Sequence, residues 1–168
     1  DLYGKKTLHL LLKKLCEIKG IRWIRVLYCY PEEIYDELIQ VMKEEKKICH
    51  YLDLPIQHAS DRILRRMGRR TSKEQLVGII QKLRREIPDI VLRTTLITGF
   101  PGETEEDHQE LMEFVDEMEF DRLGVFTYSP EEGTPAASME GQIEEELKEE
   151  RRDELMELQQ EISLEKGN

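Results

Sequence analysis

The sequence predicts an α/β fold on parallel strands, either an open doubly wound sheet or part of a (β/α) barrel. Short β-branched runs alternate with apolar stripes at helical spacing, in the order α-β-α-β-α-α-β-α-β-α. The unusual residues gather just after each strand, where such folds bind ligands. No internal repeat or low-complexity linker breaks the run. Four strands are too few to close a barrel, which usually takes about eight. The first element is a helix, which here ordinarily follows a strand, so a preceding piece is expected.

Each element has a local reason. Leu8, Leu11, Leu12, Leu15 and Ile18 recur at helical spacing before Gly20. Ile21 to Tyr28 reads as a strand. Pro31 suits a first helical turn, and Ile34, Leu38, Val41 and Met42 share a face behind it. Tyr51 to Leu54 reads as a second strand stopped by Pro55. Ser60 is expected to cap a short helix carrying Ile63, Leu64 and Met67, closed by Gly68. Ser72 with Gln75 has the capping-box form ahead of Leu76, Ile79, Ile80 and Leu83. Ile90 to Thr98 is the strongest strand, dense in Val, Ile and Thr. Thr104 with Asp107 caps the next helix, whose inner stripe is Leu111, Phe114, Val115 and Met118. Leu123 to Tyr128 makes the fourth strand. A long acidic helix with Ile143, Leu147, Leu155, Leu158 and Ile162 ends the chain.

Composition bounds the function. The 168 residues are 39% hydrophobic and 36% charged, a globular rather than disordered profile. No apolar run approaches the roughly 20 residues that cross a bilayer. No charged-then-apolar leader opens the chain, so a cytoplasmic location without membrane partners is expected. The net charge of −11 conceals an asymmetry: residues 1–100 carry 20 Lys/Arg against 13 Asp/Glu, and residues 101–168 carry 5 against 23. The basic residues crowd into 62–85, which is either a solvated helix pair or a surface for an anionic partner such as RNA. Cys16, Cys29 and Cys49 match no short-spaced metal-ligand pattern, and Cys16 reads as a buried small hydrophobe.

The strand-end loops are where chemistry is expected. They are Tyr28–Pro31, Leu54–Asp61, Thr98–Thr104 and Tyr128–Thr134. The Gly99-Phe100-Pro101-Gly102-Glu103-Thr104 loop lets backbone approach a ligand, but it is neither a Walker A loop nor a dinucleotide fingerprint. His58 has no visible nucleophile partner at motif spacing. Arg93 lies within a strand, where a guanidinium pairs internally or points into a lumen toward a carboxylate or phosphate. Strand parity puts Arg93, Thr95, Ile97 and Gly99 on that lumenal side, with Leu92, Thr94, Leu96 and Thr98 packing under helices.

Three long segments carry a family resemblance: Tyr51 to Arg69 (YLDLPIQHASDRILRRMGR), Leu92 to Asp107 (LRTTLITGFPGETEED) and Phe126 to Ala136 (FTYSPEEGTPA). Together, in order and at matching spacing, they resemble the radical S-adenosylmethionine methylthiotransferases. Of two branches, one modifies an adenosine beside the tRNA anticodon. The other methylthiolates an aspartate of a small-subunit ribosomal protein near the decoding centre. His58 after Gln57, Met67-Gly68-Arg69, Leu92-Arg93-Thr94 and Glu131-Glu132 are more similar to the second.

The resemblance implies a partial barrel of six β/α units, of which residues 1–168 are the carboxyl-terminal four. It implies S-adenosylmethionine across the strand ends: Gln57, His58 and Ser60 near the ribose, Arg93 near the methionine carboxylate, Ile97 and Gly99 flanking the adenine, with Phe126 and Tyr128. It implies two [4Fe-4S] clusters in the parent enzyme, one for radical generation and one for sulfur supply. It implies ribosomal RNA or tRNA as the anionic partner of the basic 62–85 region. No residue here is assigned a catalytic or metal-ligating role, because the required Cys-x3-Cys-x2-Cys triplet is not in this chain. The amino-terminal domain, the cluster-binding strand and a carboxyl-terminal β-rich module are likewise expected outside it. The isolated segment is therefore expected to be inactive, and its first strand to expose an edge open to self-association. A non-catalytic half-barrel binding module is the alternative of another class.

Overall fold

The structure, a computed structural model, describes residues 7–26, 29–131 and 133–167. Among these residues β1 (Ile24–Val26), β2 (Ile48–Asp53), β3 (Val91–Thr98) and β4 (Arg122–Thr127) form one sheet. Its order is β1-β2-β3-β4 and every neighbouring pair is parallel. Parallel neighbours need long crossovers, and helices supply them. α1 is Leu8–Cys16, α2 Asp36–Glu44, α3 Asp61–Arg66, α4 Lys73–Glu86, α5 Glu105–Met118 and α6 Glu145–Glu165. Short 3-10 turns occupy Pro31–Glu33 and Ala136–Ser138.

One face of the sheet is covered and the other is open. Along β3, Leu92, Thr94, Leu96 and Thr98 are buried while Val91, Arg93, Thr95 and Ile97 are only partly so. The covered face joins Leu52, Leu92, Leu96 and Val125 to Ile80, Leu83, Leu111, Phe114, Leu155 and Ile162 in one apolar core. The two threonines on that side are tolerated because their hydroxyls are satisfied. Thr94 donates to the Leu54 carbonyl at 2.7 Å, and Thr98 to the Lys148 carbonyl at 3.2 Å. The expected parity therefore holds from Leu92 to Thr98 and fails one residue later. Gly99 adopts φ +75°, and a Cβ built there would run into the Lys148 side chain. It faces the helices, not the lumen.

The capping boxes at Ser72/Gln75 and Thr104/Asp107 form as expected. Gly68, at φ +80°, follows α3. Other boundaries move. Pro31 opens a separate 3-10 turn, because Ile34 and Tyr35 are extended and restart the helix at Asp36. β2 begins at Ile48, three residues before the expected Tyr51. The strand expected over 21–28 is reduced to Ile24–Val26 with a register shift; Leu27 and Tyr28 lie outside the described residues. α1 ends at Cys16, leaving Leu11 and Ile18 about half exposed, and Cys16 is only partly buried.

Candidate functional site

The carboxyl ends of β2, β3 and β4 converge through backbone hydrogen bonds that continue the sheet past its regular strands. Leu54 N–H donates to the Arg93 carbonyl at 2.8 Å, so the chain leaving β2 stays beside β3. Gln57 then makes an isolated bridge: its N–H donates to Thr95 O at 2.9 Å and its carbonyl accepts from Ile97 N–H at 2.8 Å. Gln57 has φ +76°, an unfavourable conformation for a residue with a Cβ. That turn redirects the chain into α3. The Gln57 side-chain amide has no hydrogen bond among the described residues.

His58 and Ser60 are placed differently from expectation. His58 is fully buried. Its Nδ1 accepts from the N–H groups of Ala59 and Ser60, both at 3.0 Å, and its Nε2 lies 2.6 Å from Glu103 Oε2. Two backbone donors at Nδ1 place the proton on Nε2, which donates to the carboxylate. The imidazole thus ties down the two residues that lead into α3, one turn before the position a helix cap would serve. The Ser60 hydroxyl instead donates to Asp107 Oδ1 at 2.7 Å, and Ser60 makes no side-chain cap. His58 and Ser60 have these side-chain polar atoms committed inside the protein, and they shape the loop from beneath.

Glu103 is the centre of that inner network. Oε1 accepts from Gly99 N–H at 2.9 Å and Arg151 Nη1 at 2.8 Å, with Arg151 also donating to the Glu103 carbonyl at 3.1 Å. Burial pushes the Glu103 carboxyl up, but the hydrogen bonds from His58, Gly99 and Arg151 outweigh it, leaving the pKa lowered. Asp107 joins the neighbouring loops in the same way. Burial raises its pKa, yet Thr104 N–H, Arg62, Ser60 and the Thr104 hydroxyl hold it at about 2. Sequence reasoning missed Glu103 and Arg151. The only available signal was a carboxylate four residues after a strand-end glycine.

On the open face the picture is looser. Arg93 points into the lumen and pairs internally: its Nη1 donates to Asp53 Oδ2 at 2.8 Å. Gly124 on β4 makes room for it, since a Cβ there would sit 3.2 Å from Arg93 Nη2. Arg93 and Arg122 are register partners, and so are Ile97 and Phe126 one layer nearer the strand ends. Phe126 is 58% exposed, a large apolar surface facing the lumen beside Ile97. Tyr128 continues from Phe126. Its N–H donates to Thr98 O at 2.8 Å, its ring meets Phe100 edge-on at 5.2 Å, and its hydroxyl is buried without a partner among the described residues. Gln57, Ile97 and Phe126 therefore frame one edge of the lumen, whereas the Tyr128 ring packs against Phe100 and the buried Lys148. Arg93 lies deeper, four residues below Ile97, or about 13 Å at the usual strand rise. Gly99 contributes backbone alone.

Three arginines of 62–85, Arg62, Arg66 and Arg69, hold these loops. Arg62 donates to the Gly102 carbonyl and pairs with Asp107, Arg66 donates to Pro101 O at 2.9 Å, and Arg69 to Pro55 O at 3.1 Å.

Residues 3–115 match the Radical SAM superfamily. The chain belongs to that superfamily. Its curated relatives include the ribosomal protein uS12 methylthiotransferase RimO of Lachnoclostridium phytofermentans, 69% identical over 99% of this chain. RimO of Clostridium perfringens is 59% identical over 98% of it. The chain spans 38% and 37% of those relatives' lengths. Among solved structures, coproporphyrinogen III oxidase (HemN) of Escherichia coli, described as a radical SAM enzyme, superposes with a TM-score of 0.74. It is 21% identical, over 94% of this chain and 37% of that one. The radical SAM methyltransferase TsrM of Kitasatospora setae, with cobalamin and a [4Fe-4S] cluster bound, gives 0.58 at 17% identity, over 71% of this chain and 24% of its own. These likenesses establish the fold as a partial radical-SAM barrel.

The residues present do not fit an iron–sulfur cluster. Among the described residues no three His, Cys, Asp or Glu side chains are grouped to hold a metal. Cys29 is buried, and burial followed by the charges of Glu33 and Glu32 pushes its thiol up to about 12, the opposite of a ready thiolate ligand. The strand ends do fit a nucleoside. Ile97 and Phe126 offer apolar surface to a flat base, while the Gln57 amide can take hydrogen bonds from a sugar or a base edge.

No helix among the described residues is long and apolar enough to cross a membrane.

Proposed function

We propose that this chain forms the cofactor- and substrate-facing part of a radical SAM methylthiotransferase that adds a methylthio group to an aspartate of ribosomal protein uS12. The single observation carrying this is the 69% identity to a uS12 methylthiotransferase over nearly all of the chain. The strand ends agree with it. S-adenosylmethionine, when bound, supplies the radical chemistry of the superfamily. The chain's own residues bind and orient it: Ile97 and Phe126 against the adenine, Gly99 through its backbone, Gln57 toward hydroxyls, with Tyr128 backing the loop from behind. The side of Arg93 not held by Asp53 lies toward an anionic end. His58 and Ser60 shape that pocket without entering it. Cluster ligation is assigned to no residue here.

The test uses the complete protein, reconstituted with iron and sulfide under anaerobic conditions, with S-adenosylmethionine, a reductant and purified uS12. The expected product is one methylthio group on one uS12 aspartate by mass spectrometry. Modification of a tRNA adenosine instead, with uS12 unchanged, would assign the chain to the other branch and sink this reading.

A further inference from the structure

The last helix, α6, lies wholly beyond the 3–115 span of the superfamily match, yet it grips the strand-end loops. Its buried stripe is Lys148, Arg151, Leu155, Gln159 and Ile162. Leu155 and Ile162 belong to the apolar core and explain its packing. Lys148 and Arg151, one turn apart, are 1% and 4% exposed. Burying cations is costly, and well-packed apolar side chains in their place often serve stability as well or better. Packing alone gives no reason for these two residues.

What they touch does. Lys148 Nζ donates to the Tyr128 carbonyl at 2.9 Å, and the Lys148 carbonyl accepts from the Thr98 hydroxyl. The Lys148 stem also fills the space where a Gly99 side chain would lie. Arg151 fixes Glu103, whose Oε1 accepts the Gly99 N–H and whose Oε2 receives His58. His58 in turn accepts the two N–H groups that follow the strained turn at Gln57. Two residues of α6 thus hold Gly99 from two sides, Tyr128 through its carbonyl, and the Gln57 turn by way of Glu103 and His58.

We propose that Lys148 and Arg151 are positioning residues that hold the three strand-end loops in the shape that receives the adenosine of S-adenosylmethionine. They set cofactor affinity without touching the cofactor. This rests on the reading of the strand ends as the cofactor site.

The test measures S-adenosylhomocysteine binding to the complete protein by calorimetry, with thermal melting and amide hydrogen exchange alongside. Lys148→Met is the clean variant, because its ionic partner Glu145 is 69% exposed and no buried charge is left unpaired. Its affinity is expected to fall about tenfold, the scale of one charge-assisted hydrogen bond, with melting unchanged and faster exchange in the segment after Tyr128. The pair Arg151→Met with Glu103→Gln is expected to lose a similar factor, and Arg151→Lys to recover most of it. A loss below about threefold in Lys148→Met, or one matched by a fall in melting temperature, overturns the proposal. If the parent protein binds no S-adenosylhomocysteine, the cofactor-site reading fails and exchange decides the rest. Faster exchange after Tyr128 with unchanged melting then supports loop positioning, and unchanged exchange overturns it.

Discussion

The two faces of the sheet each carry an arginine–carboxylate pair, in opposite surroundings. Beneath the sheet, Arg151 and Glu103 meet at 2.8 Å with side chains 4% and 0% exposed. On the lumenal face, Arg93 and Asp53 meet at the same 2.8 Å but are 31% and 22% exposed. The inner carboxylate also accepts from two further groups, the Gly99 N–H and His58 Nε2, and it has no freedom to exchange partners. The outer pair is bathed by solvent on one side, and Gly124 opens space at Arg93 Nη2. Identical contact geometry therefore means architecture on one face and a ligand-accessible group on the other. The surrounding dielectric, not the distance, makes the difference.

The largest consequence is at Glu103. Glu103→Ala strands a buried guanidinium and leaves Gly99 N–H and His58 Nε2 without an acceptor. A loss of about 3–5 kcal/mol is expected, measured by urea denaturation. Glu103→Gln, which keeps hydrogen-bonding capacity, is expected to lose less. Asp53→Ala on the open face is the control. If it costs as much as Glu103→Ala, the contrast between the faces collapses.

Asp107 gives an intermediate effect with a defined pH signature. Its folded pKa of about 2 lies below the ordinary aspartate value of 3.8. A depressed carboxyl contributes stability that is fully present above its unfolded pKa and disappears as pH falls through the folded one. The contribution is on the order of 1–2 kcal/mol, lost between about pH 4 and pH 2. In Asp107→Asn this part of the acid titration of stability should vanish. An unchanged acid limb between parent and variant would show that Asp107 does not tie α3 to α5 electrostatically.

The same contrast explains what could be read from the sequence. The β3 parity was legible because Leu92 and Leu96 alternate with Arg93 and Ile97, and threonine suits either face once its hydroxyl finds a carbonyl. The capping boxes were legible because they are local, closed within four residues. Ser60 looked like a cap for the same reason, but a tertiary partner outcompeted the local bond: Asp107 took its hydroxyl. The inner network was illegible because its members are distant in sequence, Glu103 and Arg151 being 48 residues apart. On α6, Lys148 and Arg151 stand at the spacing that leads on to Leu155 and Ile162. A rule that assigns charges to solvent reads them as surface, and the apolar Leu147, expected on the inner stripe, is 36% exposed instead.

The smallest effect discriminates most sharply. In a double-mutant cycle of Asp53→Asn and Arg93→Met, the stability coupling is expected to be below about 1 kcal/mol, as for pairs that solvent reaches. A weak coupling is what the proposed role requires, since a guanidinium bound tightly to its own carboxylate has little to offer an anionic ligand. The same cycle read through S-adenosylhomocysteine affinity should behave differently. Arg93→Met is expected to weaken binding, while Asp53→Asn leaves it equal or strengthens it by freeing Nη1. Were the stability coupling instead as large as 3 kcal/mol, about the lower bound for breaking a buried pair, Arg93 would belong with Arg151 as architecture. The anionic end of the cofactor would then have to be sought elsewhere on the open face, with Arg122, its register partner, the next group to change.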